Sequence, residues 1–247
     1  GYLYGVRDNN IYVNLFAANT STIQVGGKDV VLEETTQYPW DGDIQIRVVK
    51  SAAKNANMLV RIPGWVQNQV LPSDLYKYSD RERPAYTVTV NGKKVEADLA
   101  VNKGYLPVKN IKKGDVVRIH FDMPVRTVVA NQNVKDDEGR VSVERGPIVY
   151  CAEAADNQGE PVLRAVMNKQ PKFTVVNDYK VENTEIAGAP SFAVKAITTD
   201  AQMLEENADG VAVKQQKLTL IPYYAWNHRG AGEMNVWFVQ SLKMLDK

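Results

Sequence analysis

The segment Tyr86-Thr87-Val88-Thr89-Val90-Asn91-Gly92-Lys93-Lys94-Val95-Glu96 decides the class of fold. Tyr86, Val88 and Val90 alternate with Thr87 and Thr89, which is the period of a half-buried β-strand. Asn91-Gly92 then supplies the two residues that take positive φ at both centres of a type I′ turn. The spacing predicts a hairpin joining residues 86–90 to 93–96. Outward from it the same alternation returns in Ile11 to Leu15, Ile44 to Val48, Val116 to Phe121, Val141 to Val143, Phe192 to Ile197, Lys217 to Ile221 and Asn235 to Val239. Turn signals separate these runs: Gly26-Gly27, Asp41-Gly42, Lys113-Gly114-Asp115, Glu138-Gly139 and Asp209-Gly210. No stretch holds a 3.6-residue period over three turns, and only Ala201 to Asn207, behind Asp200 as a cap, predicts two turns of helix.

Sixteen glycines and 11 prolines spread between short strands favour an all-β chain of antiparallel sandwiches over a parallel solenoid or an α/β sheet. No fixed-period repeat supports a propeller. At ~150 residues per domain, 247 residues make one large domain or two small ones. The charged stretch Asn131 to Arg140 marks a boundary near residue 130. Residues 66–85 are polar and aperiodic and are expected to form a surface excursion.

Composition removes several classes of function. Apolar residues at 44% and charged residues at 24% exclude disorder driven by low hydrophobicity. A net charge of +1 without a block of Lys and Arg argues against nucleic acid and against an anionic membrane surface. No apolar run approaches the ~20 residues that cross a bilayer. The opening Gly1-Tyr2-Leu3-Tyr4 lacks both Met and the character of a signal peptide, so the chain reads as a mature or excised piece. One cysteine, Cys151, excludes an internal disulfide and a four-cysteine zinc site.

Groups suited to catalysis are sparse. His120 falls on the polar side of the Val116 to Phe121 alternation, and His228 lies in a loop; the pair has no metal-ligand spacing. Cys151 reads as a buried apolar filler with no activating cation at short range. The acidic pairs Glu33-Glu34, Asp41/Asp43, Asp136-Asp137-Glu138 and Glu205-Glu206 read as solvated turns rather than as a glycosidase pair. Aromatic clusters are more informative. Tyr38-Pro39-Trp40-Asp41-Gly42, Trp65 in Arg61-Ile62-Pro63-Gly64-Trp65, and Tyr223-Tyr224-Ala225-Trp226-Asn227-His228-Arg229 place rings beside amide and charged groups. Such rings either close the ends of sandwiches and meet a neighbouring domain, or stack on sugars. Tyr38, Trp40, Trp65, Tyr223, Tyr224, Trp226, His228 and Arg229 are therefore the candidate carbohydrate or interdomain contacts.

Taken in order, these stretches resemble the C-terminal, non-catalytic portion of glycoside hydrolase family 127, the β-L-arabinofuranosidase-like family. The resemblance is carried by Ile11 to Phe16, Thr36 to Gly42, Leu59 to Trp65, Val90-Asn91-Gly92, Gly104 to Val108, Gly114 to Val117, Met123 to Arg126, Gly139-Arg140-Val141, Glu144 to Cys151, Ile221 to Gly230 and Gly232-Glu233-Met234. It implies two jelly-roll-like antiparallel sandwiches, residues 1–130 and 131–217, with strands in 218–247 returning to complete the first. It also implies that chemistry belongs to an (α/α)6 barrel holding a cysteine nucleophile and zinc upstream of Tyr2, so that this chain carries no cofactor, no metal and no catalytic residue. Cys151 does not match that nucleophile.

Scaffolding follows as the expected role: packing on the barrel and orienting it, with a second copy of the chain as a further partner. A carbohydrate-binding module for arabinose-containing plant glycans is the first alternative, and a free-standing structural or adhesion protein the second. For a plant-glycan-degrading parent the bacterial periplasm is favoured over the cytoplasm. An apolar patch near Tyr2-Leu3-Tyr4 or the Tyr38-Trp40 loop is the expected mark of a docking face.

Overall fold

The computed structural model describes residues 2–99, 103–207 and 210–245. In chain order the strands are β1 (Tyr4–Arg7), β2 (Asn10–Val13), β3 (Asn19–Val25), β4 (Lys28–Thr36), β5 (Asp43–Ser51), β6 (Asn57–Arg61), β7 (Tyr76–Tyr78), β8 (Tyr86–Val90), β9 (Lys93–Lys94) and β10 (Tyr105–Val108). They continue as β11 (Val116–Phe121), β12 (Val125–Ala130), β13 (Arg140–Arg145), β14 (Ile148–Glu153), β15 (Ala165–Met167), β16 (Thr174–Glu182), β17 (Ser191–Asn207), β18 (Gly210–Pro222), β19 (Met234–Asn235) and β20 (Phe238–Val239). Among the described residues the only helical turns are short 3₁₀ pieces, so the chain is all-β. Contacts divide it into two units, Gly1–Gln69 with Glu82–Pro124, and Val70–Arg81 with Val125–Lys247.

The first unit is a sandwich of a four-stranded sheet, β1-β2-β6-β10, and a six-stranded sheet, β3-β4-β5-β11-β8-β9. Alternation sets its core: Ile11, Val13, Met58, Val60, Leu106 and Val108 from one sheet, and Leu32, Ile44, Ile46, Val88, Val117, Ile119 and Phe121 from the other, are all buried. Asn91 and Gly92 have φ of 50° and 80° and pair Val90 with Lys93, the predicted hairpin. The turn is also anchored sideways, because the Asn91 side chain accepts from Val116 N–H at 2.9 Å and donates to Asp115 at 2.8 Å.

In the second unit one ten-stranded sheet runs β19-β14-β18-β17-β15-β20-β13-β12-β7 with β16 beside β17. A further pairing of β13 with β14 returns the sheet upon itself, and the enclosed core holds Val143, Tyr150, Met167, Ile197, Leu218, Leu220 and Phe238.

Several expectations need correction. The boundary falls at 124/125 rather than 130. Residues 218–247 do not return to the first sandwich: β18 pairs β14 and β17, and β20 pairs β13 and β15, all in the second unit. The crossing runs the other way. Residues 66–85 are no mere excursion, since β7 within them pairs β12 through Val128↔Tyr78 and Ala130↔Tyr76. Ala201 to Asn207 is not helical either; it is the end of a 17-residue strand registered on β18 from Ile197↔Leu220 to Asn207↔Gly210. Ladder hydrogen bonds along that long hairpin outweigh a helix propensity worth only tenths of a kcal/mol per residue. The predicted turn at Asp209-Gly210 lies partly outside the described residues.

Candidate functional site

The sequence-selected aromatics separate into one group in each unit. In the first, Tyr38 and Trp65 belong to the packing. The Trp65 indole N–H donates to the Tyr38 hydroxyl at 3.2 Å, and Phe121 stacks tilted or edge-on against Phe16, Tyr38 and Trp65 at centroid distances of 5.7, 6.4 and 5.8 Å. Burial pushes the Tyr38 hydroxyl pKa up. Trp40, on the same turn, is exposed.

In the second unit a 3₁₀ turn, Tyr223–Ala225, buries Ala225 and leaves Tyr223 and Tyr224 exposed. Tyr223 and Trp226 lie 6.1 Å apart with planes inclined by 46°, so they do not form a flat platform for a sugar ring. His228 meets Phe192 edge-on at 6.2 Å. Arg229 is a structural ion: its guanidinium is buried, paired with Glu153 and with both oxygens of Asp156, and Tyr179 donates to Asp156 at 2.9 Å. Those hydrogen bonds, Asp156 first, raise the Arg229 pKa and keep the ion charged in the interior.

Cys151 packs among Val181, Val194, Ile221 and Ala225, and burial pushes its thiol up to about 12, the opposite of what a nucleophile needs. Among the described residues no three His, Cys, Asp or Glu side chains converge as metal ligands. The zinc implied by the family resemblance therefore finds no donor set here; a buried neutral thiol in an aliphatic pocket is not one.

Two acidic pairs expected in solvated turns lie in strands instead, Glu205-Glu206 in β17 and Glu33-Glu34 in β4. Glu33 faces out to Arg47 at 2.5 Å, while Glu34 points into the core at 2% exposure. Its oxygens accept from Ala17 N–H at 3.0 Å and from the Tyr4 hydroxyl at 2.8 Å, and burial lifts its pKa from 4.5 to about 7.

A cleft that sequence reasoning missed opens on the outer face of the six-stranded sheet. It is an open cleft of about 710 Å³ bounded by β4, β5, β8, β11 and the 37–41 turn. Register builds its floor. Thr35↔Gln45, Gln45↔Arg118 and Arg118↔Thr89 make one row, and Asp43↔His120↔Thr87 makes the next. His120 Nδ1 lies 2.7 Å from Asp43 and Nε2 3.1 Å from Asp122, and the Asp43 hydrogen bond, first among its causes, raises the imidazole pKa. The signal existed in the sequence as the outward halves of three alternating strands, but only pairing brings those halves side by side.

Residues 10–123 match the family description "Beta-L-arabinofuranosidase, GH127 middle domain", and residues 125–239 match "Glycoside hydrolase family 127 C-terminal domain". A non-reducing end β-L-arabinofuranosidase of Bifidobacterium longum is 31% identical over 96% of this chain and 34% of its own length. Among solved structures, a GH127 β-arabinofuranosidase is 46% identical with a TM-score of 0.88, covering 98% of this chain and 37% of that one. The GH127 β-L-arabinofuranosidase of Geobacillus stearothermophilus T6 is 28% identical with a TM-score of 0.76, covering 96% of this chain and 35% of that one. The chain thus spans about a third of the relatives it matches, and the two matches meet at the 124/125 boundary of the units, although residues 70–81 fall within the middle-domain match and belong to the second unit. It belongs to glycoside hydrolase family 127, as the middle and C-terminal β-sandwich region, which is not part of the catalytic barrel of the full-length relatives.

Proposed function

We propose that this chain is the scaffold of a β-L-arabinofuranosidase-like enzyme, lying against a catalytic barrel and fixing its orientation without contributing a reacting group. The observation that carries this reading is apolar surface at the start of the first unit. Tyr2 is 88% exposed and Leu15 51% exposed, and the Asn14 N–H bonded to Leu3 C=O at 2.9 Å holds their two segments side by side. Large exposed apolar side chains on adjoining segments favour cover by another surface. The hydrolysis named for the relatives is proposed for the longer enzyme, with β-L-arabinofuranosides as its substrates.

The test joins the catalytic region of the Bifidobacterium longum relative to this chain and follows amide hydrogen exchange and turnover of an aryl β-L-arabinofuranoside. The fusion is expected to protect residues 2–15, and Leu15→Asp to lower both protection and turnover. The chain alone is expected to release no aryl alcohol, with or without zinc and reductant. Exchange at residues 2–15 that is identical in chain and fusion overturns the docking reading, and zinc-dependent turnover by the chain that survives Cys151→Ala overturns the non-catalytic one. The alternative of sugar stacking on Trp40, Tyr223, Tyr224 and Trp226 is not favoured by the 46° inclination of Tyr223 to Trp226.

A further inference from the structure

We infer that the cleft on the outer face of the six-stranded sheet is a binding site for a neutral sugar ring, with Arg118 at its centre. This goes beyond the scaffold role and does not depend on it. Two cations of the face have carboxylate partners: Arg47 is held by Glu33, and His120 by Asp43 and Asp122. The Arg118 side chain makes no hydrogen bond or ion pair among the described residues, although it stands between Gln45 and Thr89 in the middle of the floor. A planar guanidinium offers two parallel N–H donors, the spacing that vicinal hydroxyl oxygens accept.

The other groups supply what such a ring also needs. Gln45 and the hydroxyls of Thr35, Thr87 and Thr89 both donate and accept, and their methylene and methyl groups form a shallow apolar floor for C–H edges. Asp41 and Asp43 on the rim accept from sugar hydroxyls, and set against Arg118 and His120 they leave the cleft without the single-sign charge that would favour an ionic ligand. The rim is built rather than loose. Asp43 N–H donates to Asp41 at 3.2 Å, Thr36 Oγ1 donates to Asp43 C=O at 2.7 Å, Trp40 N–H donates to Gln37 C=O at 2.9 Å, and Phe121 N–H donates to Gly42 C=O at 3.0 Å. A preorganised rim lowers the ordering cost of binding.

The experiment titrates the isotopically labelled chain with short arabino-, xylo- and galacto-oligosaccharides and follows backbone amide shifts. At least one of the three is expected to give saturable shifts confined to residues 35–45, 86–90 and 116–120, with a dissociation constant on the order of millimolar. Arg118→Ala is expected to weaken that binding about tenfold, and Arg118→Lys, which keeps the charge but not the fork, to restore only part of it. Arg118 is exposed, so an unchanged melting temperature verifies that the variants fold. Absence of saturable shifts with all three sugars overturns the inference. So does binding that maps to residues 223–229, or binding that Arg118→Ala leaves unchanged.

Discussion

Two residues show how little room the first sandwich leaves. A Cβ built on Gly42 would stand 2.0 Å from the carbonyl oxygen of Phe121, a rigid strand atom rather than a flexible side chain. Gly42→Ala is therefore expected to destabilise by about 3 kcal/mol or more, read as a lower denaturation midpoint, because strand β11 or the 37–41 turn must move. Glu34 stores a different kind of cost. Its pKa is 4.5 in the open chain and about 7 when folded, so the folded protein binds the proton more tightly. The contribution is complete below 4.5 and is lost as pH rises through 7. The loss amounts to about 3 kcal/mol at most. His120, also raised, acts in the same direction from its ordinary 6.5 upward. Stability measured by denaturant should fall between pH 5 and 8, and Glu34→Gln should flatten most of that slope; an equal slope in the variant would assign the pH dependence elsewhere.

At the scale of elements, the β8–β9 hairpin tests whether local turn chemistry matters in a sheet braced from the side. Gly92 has φ of 80° with nothing within 4 Å of an added Cβ, so strain, not collision, is what a substitution meets there. Gly92→Val is expected to cost about 1–2 kcal/mol. Strand β7 tests the crossing segment. Arg126 on β12 is only 6% exposed, its guanidinium pairs with Asp80 at 2.5 Å, and it lies 3.5 Å over the Tyr78 ring. Removing the carboxylate takes the nearest counter-charge from a buried cation. Asp80→Ala should cost about 3 kcal/mol in unfolding free energy, with Asp80→Asn recovering a part.

For the molecule as a whole, the crossing of residues 70–81 makes the second unit discontinuous in sequence. Residues 125–247 expressed alone would lack β7 and Asp80 while keeping Arg126 and the strand edge of β12. That piece is expected to melt well below the second transition of the whole chain in calorimetry, and to recover when residues 70–81 are supplied on a linker. Equal melting temperatures would mean that β7 adds nothing to the unit it pairs with. A cut drawn at the 124/125 boundary looks clean in sequence and is not clean in the fold.

The period-two alternation, the Asn91-Gly92 turn, the outward side of His120 and the buried filler Cys151 were legible from residues alone, because each depends on a near neighbour: a side chain two positions on, a dihedral, a run of apolar atoms. The family resemblance was legible for a related reason, since short motifs survive as local strings. Partner choice was not. Phe238–Val239 is a two-residue strand whose place between β13 and β15 rests on residues about 75 to 100 positions away, and nothing in its own composition distinguishes that edge from one in the first sandwich. Ala201 to Asn207 has the composition of a helix and became a strand because β18 was there to pair with it. Glu34 reads as a surface acid until Tyr4, 30 residues earlier, is brought against it, and Arg229 reads as a contact residue until Glu153 and Asp156 enclose it. The cleft around Arg118 exists only when the outward faces of β4, β5, β8 and β11 are set in register. Sequence alone determined what each segment is, through interactions of short range; tertiary structure decided which segments meet, because hydrogen-bonded pairing and burial join groups far apart along the chain.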